Sequence, residues 1–321
     1  MDRRLTDARR GLLHGVTCYL MWGLFPLYWP LLEPAGSLEI LSHRIVWSLL
    51  VVTVLLLLTR SRDWVRPLLR DRALMSRMTL AALLIAGNWA VYIWGVNNEH
   101  VIETSLGYFI NPVVTVLIGV LVLGERLRPV QWAAIGLGSL AVVVLTADYG
   151  RPPWVALTLA FSFAAYGLLK KQVGPRVGAV QSLTVETAIL FVPALVFLVA
   201  LDVTGAGQFG RAGVGAALLL ASAGVATAVP LLFFAGAARR LPLSTLGLLQ
   251  YLAPVLQLVT GVFVYHEPMP ASRLAGFGLV WAALLLLSGD GWRQARRSRA
   301  RRRDESPQET PTIRGGSPAP G

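Results

Sequence analysis

Cysteine is almost absent from this chain, with Cys18 the only one among 321 residues. An intramolecular disulfide and a thiolate metal cluster are thereby excluded. Charge is scarce as well: charged residues make up 14% of the sequence and apolar residues 55%, whereas charged residues are about a quarter of a soluble domain. No G-x-x-x-x-G-K-[ST] segment occurs, and no polar stretch is long enough for a nucleotide-binding domain, so nucleotide hydrolysis within the chain is not expected. H-E-x-x-H and G-x-S-x-G are also missing, which removes two common hydrolase signatures. No cofactor and no metal is implied.

What is present is apolar sequence in blocks of membrane-spanning length. A bilayer core about 30 Å thick needs about 20 residues of helix. Ten such blocks are expected, over residues 12–32, 40–58, 80–96, 104–123, 130–147, 154–169, 180–201, 213–235, 245–264 and 274–288. Runs such as 137–145 do not alternate polar with apolar, so helices account for them better than the strands of an outer-membrane barrel. The first block follows Arg3, Arg4, Arg9 and Arg10 like a secretory signal. It is long for one, contains Trp22, Pro26 and Trp29, and precedes no clear cleavage site, so it reads as a retained span.

Basic residues orient the spans. With the amino terminus in the cytoplasm, 25 of the 29 basic residues fall on the inside, and only Arg151, Arg211 and Arg273 on the outside. That asymmetry follows the positive-inside rule, and it places both termini in the cytoplasm. The net charge of +12 therefore calls for no nucleic acid. Its densest part, from Arg293 to Arg303, reads as an anchor on anionic lipid headgroups, followed by a proline- and glycine-rich end expected to be disordered.

The two halves resemble each other. Ser105-Leu106-Gly107, Pro112, Gly119 and Glu125 are matched by Thr245-Leu246-Gly247, Pro254, Gly261 and Glu267, the last three pairs at a common offset of 142 residues. Five spans per half is an odd number, so the second half enters the membrane from the opposite side. The expected fold is an all-α integral membrane protein of about ten transmembrane helices in two inverted five-helix repeats. Its parts are a cytoplasmic amino terminus (1–11), a first repeat (12–147), an outside linker (148–153), a second repeat (154–288) and a basic cytoplasmic tail expected to be disordered (289–321).

Longer segments carry a resemblance. Glu39 to Ser48 (EILSHRIVWS), Asn88 to Trp94 (NWAVYIW), Ser105 to Pro112 (SLGYFINP), Ala237 to Ser244 (AARRLPLS) and Leu249 to Pro254 (LQYLAP) are similar to the RarD branch of the EamA, or drug/metabolite transporter, superfamily. The resemblance spans about residues 11–288. It implies a ten-helix bacterial inner-membrane transporter with two EamA-type domains.

Ionisable residues inside a span are costly, and by default they face the protein interior or a water-filled path. Glu39 and His43 lie four apart, so Glu39 is expected to orient the imidazole. Arg44 suits a carboxylate or other planar anion. Glu186 falls at the 142 offset from Arg44, and the two are expected to face each other between the halves. Asn88, Trp89 and Tyr92 offer a polar edge beside aromatic surface for an organic ligand. Tyr108, Asn111, Gln250, Tyr251 and Gln257 add polar groups near Pro112 and Pro254, where each ring removes a backbone donor. Glu39, His43 and Glu186 are the groups whose charge can change if protons are coupled. Glu125 and Glu267 read as interfacial anchors, and Glu103 as a helix N-terminal charge.

Secondary transport of a small organic metabolite or drug-like solute is the leading expectation. A non-transporting membrane assembly or a membrane-embedded enzyme are the alternatives, the latter weakened by the want of a nucleophile beside His43. The solute and the oligomeric state are not fixed by the sequence.

Overall fold

A computed structural model describes residues 2–59, 64–123, 128–173, 177–238, 240–241, 245–246 and 249–304. Among these the chain is all-α. The helices are α1 (Asp2–Gly23), α2 (Phe25–Tyr28), α3 (Ser37–Thr59), α4 (Val65–Arg70), α5 (Arg72–Asn97) and α6 (Val101–Leu123), then α7 (Pro129–Tyr149), α8 (Trp154–Val173), α9 (Ala179–Thr204), α10 (Val214–Ala238), α11 (Leu252–Phe263) and α12 (Ala271–Asp304). Seven of them contain a stretch long and apolar enough to cross a membrane: α3, α5, α6, α7, α9, α10 and α12. Large apolar side chains such as Leu13, Leu121, Val143, Val203 and Leu285 lie exposed on the outside of the bundle. In water such a surface would drive association, whereas in lipid it is the appropriate solvent contact.

Local sequence sets the helix ends. Asp71 accepts a 2.9 Å hydrogen bond from the Leu74 N–H and caps α5. Pro129 begins α7, where its missing N–H costs nothing, and Gly150 ends it in a left-handed turn at φ 64°. The expected first span, 12–32, is not one helix. Pro26 and Pro30 each remove an N–H, and the segment breaks after Gly23 into α2 and a 3-10 turn over Trp29–Leu32. The basic tail also differs from the expectation over its first part, since α12 runs on to Asp304. That stretch of Arg, Ala, Ser and Gln favours helix and meets no proline before Pro307.

The bundle centres on α3, which packs on α5, α9 and α10. Gly224 lets α10 approach the α3 backbone, since a Cβ there would sit 2.4 Å from the Trp47 carbonyl carbon. The antiparallel pair α7 and α12 is pinned at both ends by ion pairs, Arg128 to Asp290 at 2.8 Å and Arg273 to Asp148 at 2.9 Å. One apolar core gathers Phe25, Trp29, Ile40, Ile45, Tyr92 and Ile93 around α3 and α5. A second joins α6, α7, α8 and α12 through Leu106, Phe109, Leu145 and Phe277.

Candidate solute site

Arg44 is placed by the second turn of α3 and points inward, with 4% of its surface exposed. Its Nε donates to Thr227 Oγ1 on α10 at 2.8 Å. The guanidinium carbon lies 3.9 Å from the centre of the Trp89 ring, 5.2 Å from that of Trp29 and 5.9 Å from that of Phe25. No carboxylate among the described residues comes within ion-pairing distance of it. A cation in a low-dielectric interior is held here by aromatic faces and one hydroxyl.

The neighbouring wall comes from α5. Asn88 Nδ2 donates to the Leu159 carbonyl at 3.0 Å and to Ser162 Oγ at 2.9 Å, tying α5 to α8. Its Oδ1 accepts from the Tyr108 hydroxyl at 3.3 Å. Tyr108 in turn stands edge-on to Tyr92, ring centres 5.6 Å apart. The Tyr92 hydroxyl and the Trp29 indole N–H are both buried without a hydrogen-bond partner. Arg44, Trp89, Tyr92, Asn88 and Tyr108 thus form one continuous cluster.

A family model described as the EamA-like transporter family matches residues 9–147 and again 152–289. The chain belongs to the EamA-like transporter family. It is a membrane transporter, so translocation rather than bond chemistry is its task. It is 58% identical to Protein RarD of Streptomyces exfoliatus, over 92% of this chain and 93% of that one. It is 44% identical to an uncharacterized transporter of Pseudomonas aeruginosa, over 91% and 97% of the two chains. A solved crystal structure at 18% identity superposes with a TM-score of 0.55, covering 86% of this chain and 96% of that one, and shares the fold.

In this EamA transporter two expected pairings are replaced. Glu186 does not face Arg44. Its Oε1 accepts from Lys170 Nζ at 2.8 Å and from Ser182 Oγ at 2.9 Å, and its Oε2 accepts from the Tyr166 hydroxyl at 3.1 Å. Lys170, near the end of α8, reaches Glu186 with its long stem and supplies the counter-charge. Nor does Glu39 orient His43. The Glu39 carboxylate accepts the Gln208 N–H at 2.6 Å, while His43 Nδ1 accepts from Trp47 Nε1 at 3.3 Å and the ring stacks on Phe209 at 4.7 Å. A loop N–H competes successfully for a carboxylate that helical spacing alone would assign to the imidazole.

The remaining candidates are dispersed. Asn111 accepts from Thr115 one turn on, through its own carbonyl at 2.9 Å. Tyr251 packs against the second core and lies in reach of Gln250 and Ser288. Gln257 is buried and donates to the Trp22 carbonyl at 3.3 Å, leaving its Oε1 without a partner. Two cavities open away from Arg44: an apolar one bounded by Val52, Leu183 and Leu231, and one bounded by Trp64, Asp71 and Gln181.

Sequence reasoning passed over Thr227, Lys170, Trp29 and Phe25. Lys170 reads as a topological charge because it closes a span, and Thr227 carries no signal in an apolar run. Glu267 is buried and accepts the Val101 N–H at 2.5 Å and the Ile102 N–H at 2.9 Å, so it caps α6 rather than anchoring at the interface. Burial pushes its carboxyl above the usual range, against the pull of the two N–H groups. Glu103, on α6 itself, caps α8, accepting the Val155 N–H at 3.0 Å and pairing with Arg151 at 2.8 Å. Glu125 lies outside the described residues.

Proposed function

We propose that the chain crosses the bacterial cytoplasmic membrane ten times, as two inverted five-helix repeats with both termini in the cytoplasm. It moves a small organic solute by alternating access past Arg44. The repeat is supported by packing that falls into exchangeable pairs: α6 on α8 corresponds to α11 on α1, α5 on α8 to α10 on α1, and α3 on α10 to α5 on α9. Pairs α3 with α9, α6 with α11 and α7 with α12 join equivalent members of the two halves. The two family matches, which nearly coincide with repeats at 12–147 and 154–288, support the same division. Inverted halves of this kind let one set of contacts be made and broken alternately on either face.

The observation that carries the site is a buried guanidinium, at the junction of α3, α5 and α10, whose Nη groups donate to nothing among the described residues. Asn88, Trp89, Tyr92 and Tyr108 complete the wall. Of the three groups able to change charge, Glu186 is assigned to any coupled proton, because Glu39 secures a loop and His43 is stacked. Gln257, with its free Oε1, is a further contact on α11. Anionic headgroups meet the basic end of α12 on the cytoplasmic side.

Purified protein in liposomes, assayed for solute flux with and without a proton gradient, tests this reading. Arg44→Gln and Glu186→Gln should each reduce flux by about tenfold or more at equal folded yield, equivalent to about 1.4 kcal/mol. Normal flux in both single variants would remove the site.

A further inference from the structure

Of the groups around Arg44, nearly all that lack a partner are hydrogen-bond donors. Arginine has five N–H donors in a fixed fork. One is spent on Thr227, and the four on Nη1 and Nη2 have no acceptor among the described residues. The Tyr92 hydroxyl, in a residue 3% exposed, also lacks a partner, as does the indole N–H of Trp29, in a residue 0% exposed. Both tyrosines of the edge-on pair, and Tyr28, lie within electrostatic range of the guanidinium. The site therefore holds one positive charge and a surplus of donors, with aromatic faces on three sides and no fixed anion.

The buried glutamates among the described residues already have partners. Glu186 holds Lys170, Glu103 holds Arg151, and Glu39 holds the Gln208 N–H. A cationic solute would meet the guanidinium with no free carboxylate to offset it. A doubly charged phosphate would meet only one cation. A singly charged, planar carboxylate satisfies the Nη fork with two parallel hydrogen bonds, which is the geometry arginine recognises best. Its remaining lone pairs suit the Tyr92 and Trp29 donors, and the Trp89, Trp29 and Phe25 rings offer apolar surface to whatever the carboxylate is attached to.

We propose that the solute is an organic carboxylate with an apolar or aromatic body, bound through its carboxyl group to Arg44. This rests on the reading of Arg44 as the transport site and adds the charge and class of the cargo. It also assigns Tyr92 a direct contact with the carboxylate.

The test is calorimetric titration of the full-length protein in detergent with benzoate and indole-3-acetate, compared with benzamide and indole-3-acetamide, which match them in shape and lack the charge. The carboxylates should bind at least about tenfold more tightly than their amides. Arg44→Gln should abolish that preference, and Arg44→Lys should keep only part of it, because the charge survives but the fork does not. Tyr92→Phe, which removes one hydroxyl and preserves packing, should weaken carboxylate binding several-fold. It decides the matter even if the arginine variants fail to fold.

Equal binding of acid and amide, no binding of either carboxylate to the folded wild type, or a preference that survives in Arg44→Gln would each overturn the proposal. Saturable flux of a neutral or cationic solute, undiminished in Arg44→Gln, would do the same while leaving transport itself standing. Failure of the transport reading is separately visible, as the lack of saturable flux for any solute in sealed liposomes.

Discussion

Lys170 and Glu186 show how one side chain's reach changes the reading of a buried charge. Glu186 is buried on α9, and Lys170 is 27% exposed with its ammonium turned in toward Glu186, Ser182 and the Tyr166 ring. Removing either partner leaves the other uncompensated. Lys170→Met and Glu186→Gln should each lower the thermal unfolding midpoint, with a stability loss smaller than the roughly 3–5 kcal/mol of a fully buried pair because Lys170 keeps some solvent. The double variant should recover part of that loss. Additive losses in a double-mutant cycle would contradict the pairing.

At this scale the sequence is legible for single residues and poor for partners. That Arg44, Asn88 and Tyr92 face inward follows from the cost of polar groups in lipid. That Arg44 meets Trp89 and Thr227, and not Glu186, depends on how far helices from different halves slide and rotate, which an offset of 142 residues does not encode. Glu39 and His43 share a helix face, yet the Gln208 N–H, distant in sequence, takes the carboxylate.

Among the helices, the contact between α3 and α10 depends on a bare backbone. Gly224→Leu would drive a side chain into the Trp47 main chain and force α10 away from the helix that carries Arg44. The expected cost is at least the ~1–3 kcal/mol of an overpacked core, with folded yield in detergent falling accordingly. Gly278, with open space around its Cβ position, is the control and should tolerate alanine. At one end of α6, Glu267 ties the helix start to the segment after α11, over 165 residues of sequence. Glu267→Ala should cost about 1–2 kcal/mol through the two lost caps, and it should raise amide exchange at Val101 and Ile102 before it affects the centre of α6. Unchanged exchange there would contradict the cap.

Apolar blocks located most helices because lipid imposes both length and composition. The first block failed as a single helix because its prolines act on the backbone and leave hydropathy untouched. The end of α12 was misjudged for the converse reason: arginine-rich sequence offers no apolar face, yet its residues propagate a helix already begun.

For the whole molecule, the inside-positive arrangement makes a prediction about sidedness. Cys18 is fully buried and can remain in place as a silent background. Ala212→Cys should react with a membrane-impermeant maleimide on intact cells, and Ala8→Cys only after the membrane is opened. The reverse pattern would invert the topology. Exchangeable packing of the halves makes a second prediction, about the transport cycle. A site visited alternately from either face returns faster when it is occupied, so solute on the far side should accelerate uptake; a continuous pore has no such step.

Counterflow of a radiolabelled aromatic carboxylate such as benzoate into proteoliposomes preloaded with the same compound is the most direct measurement. Preloading should accelerate saturable uptake in the wild type, and Arg44→Gln at equal folded content should abolish the acceleration. Uptake that neither saturates nor responds to preloading, or counterflow that persists unchanged in Arg44→Gln, would contradict a solute site at Arg44 served by alternating halves.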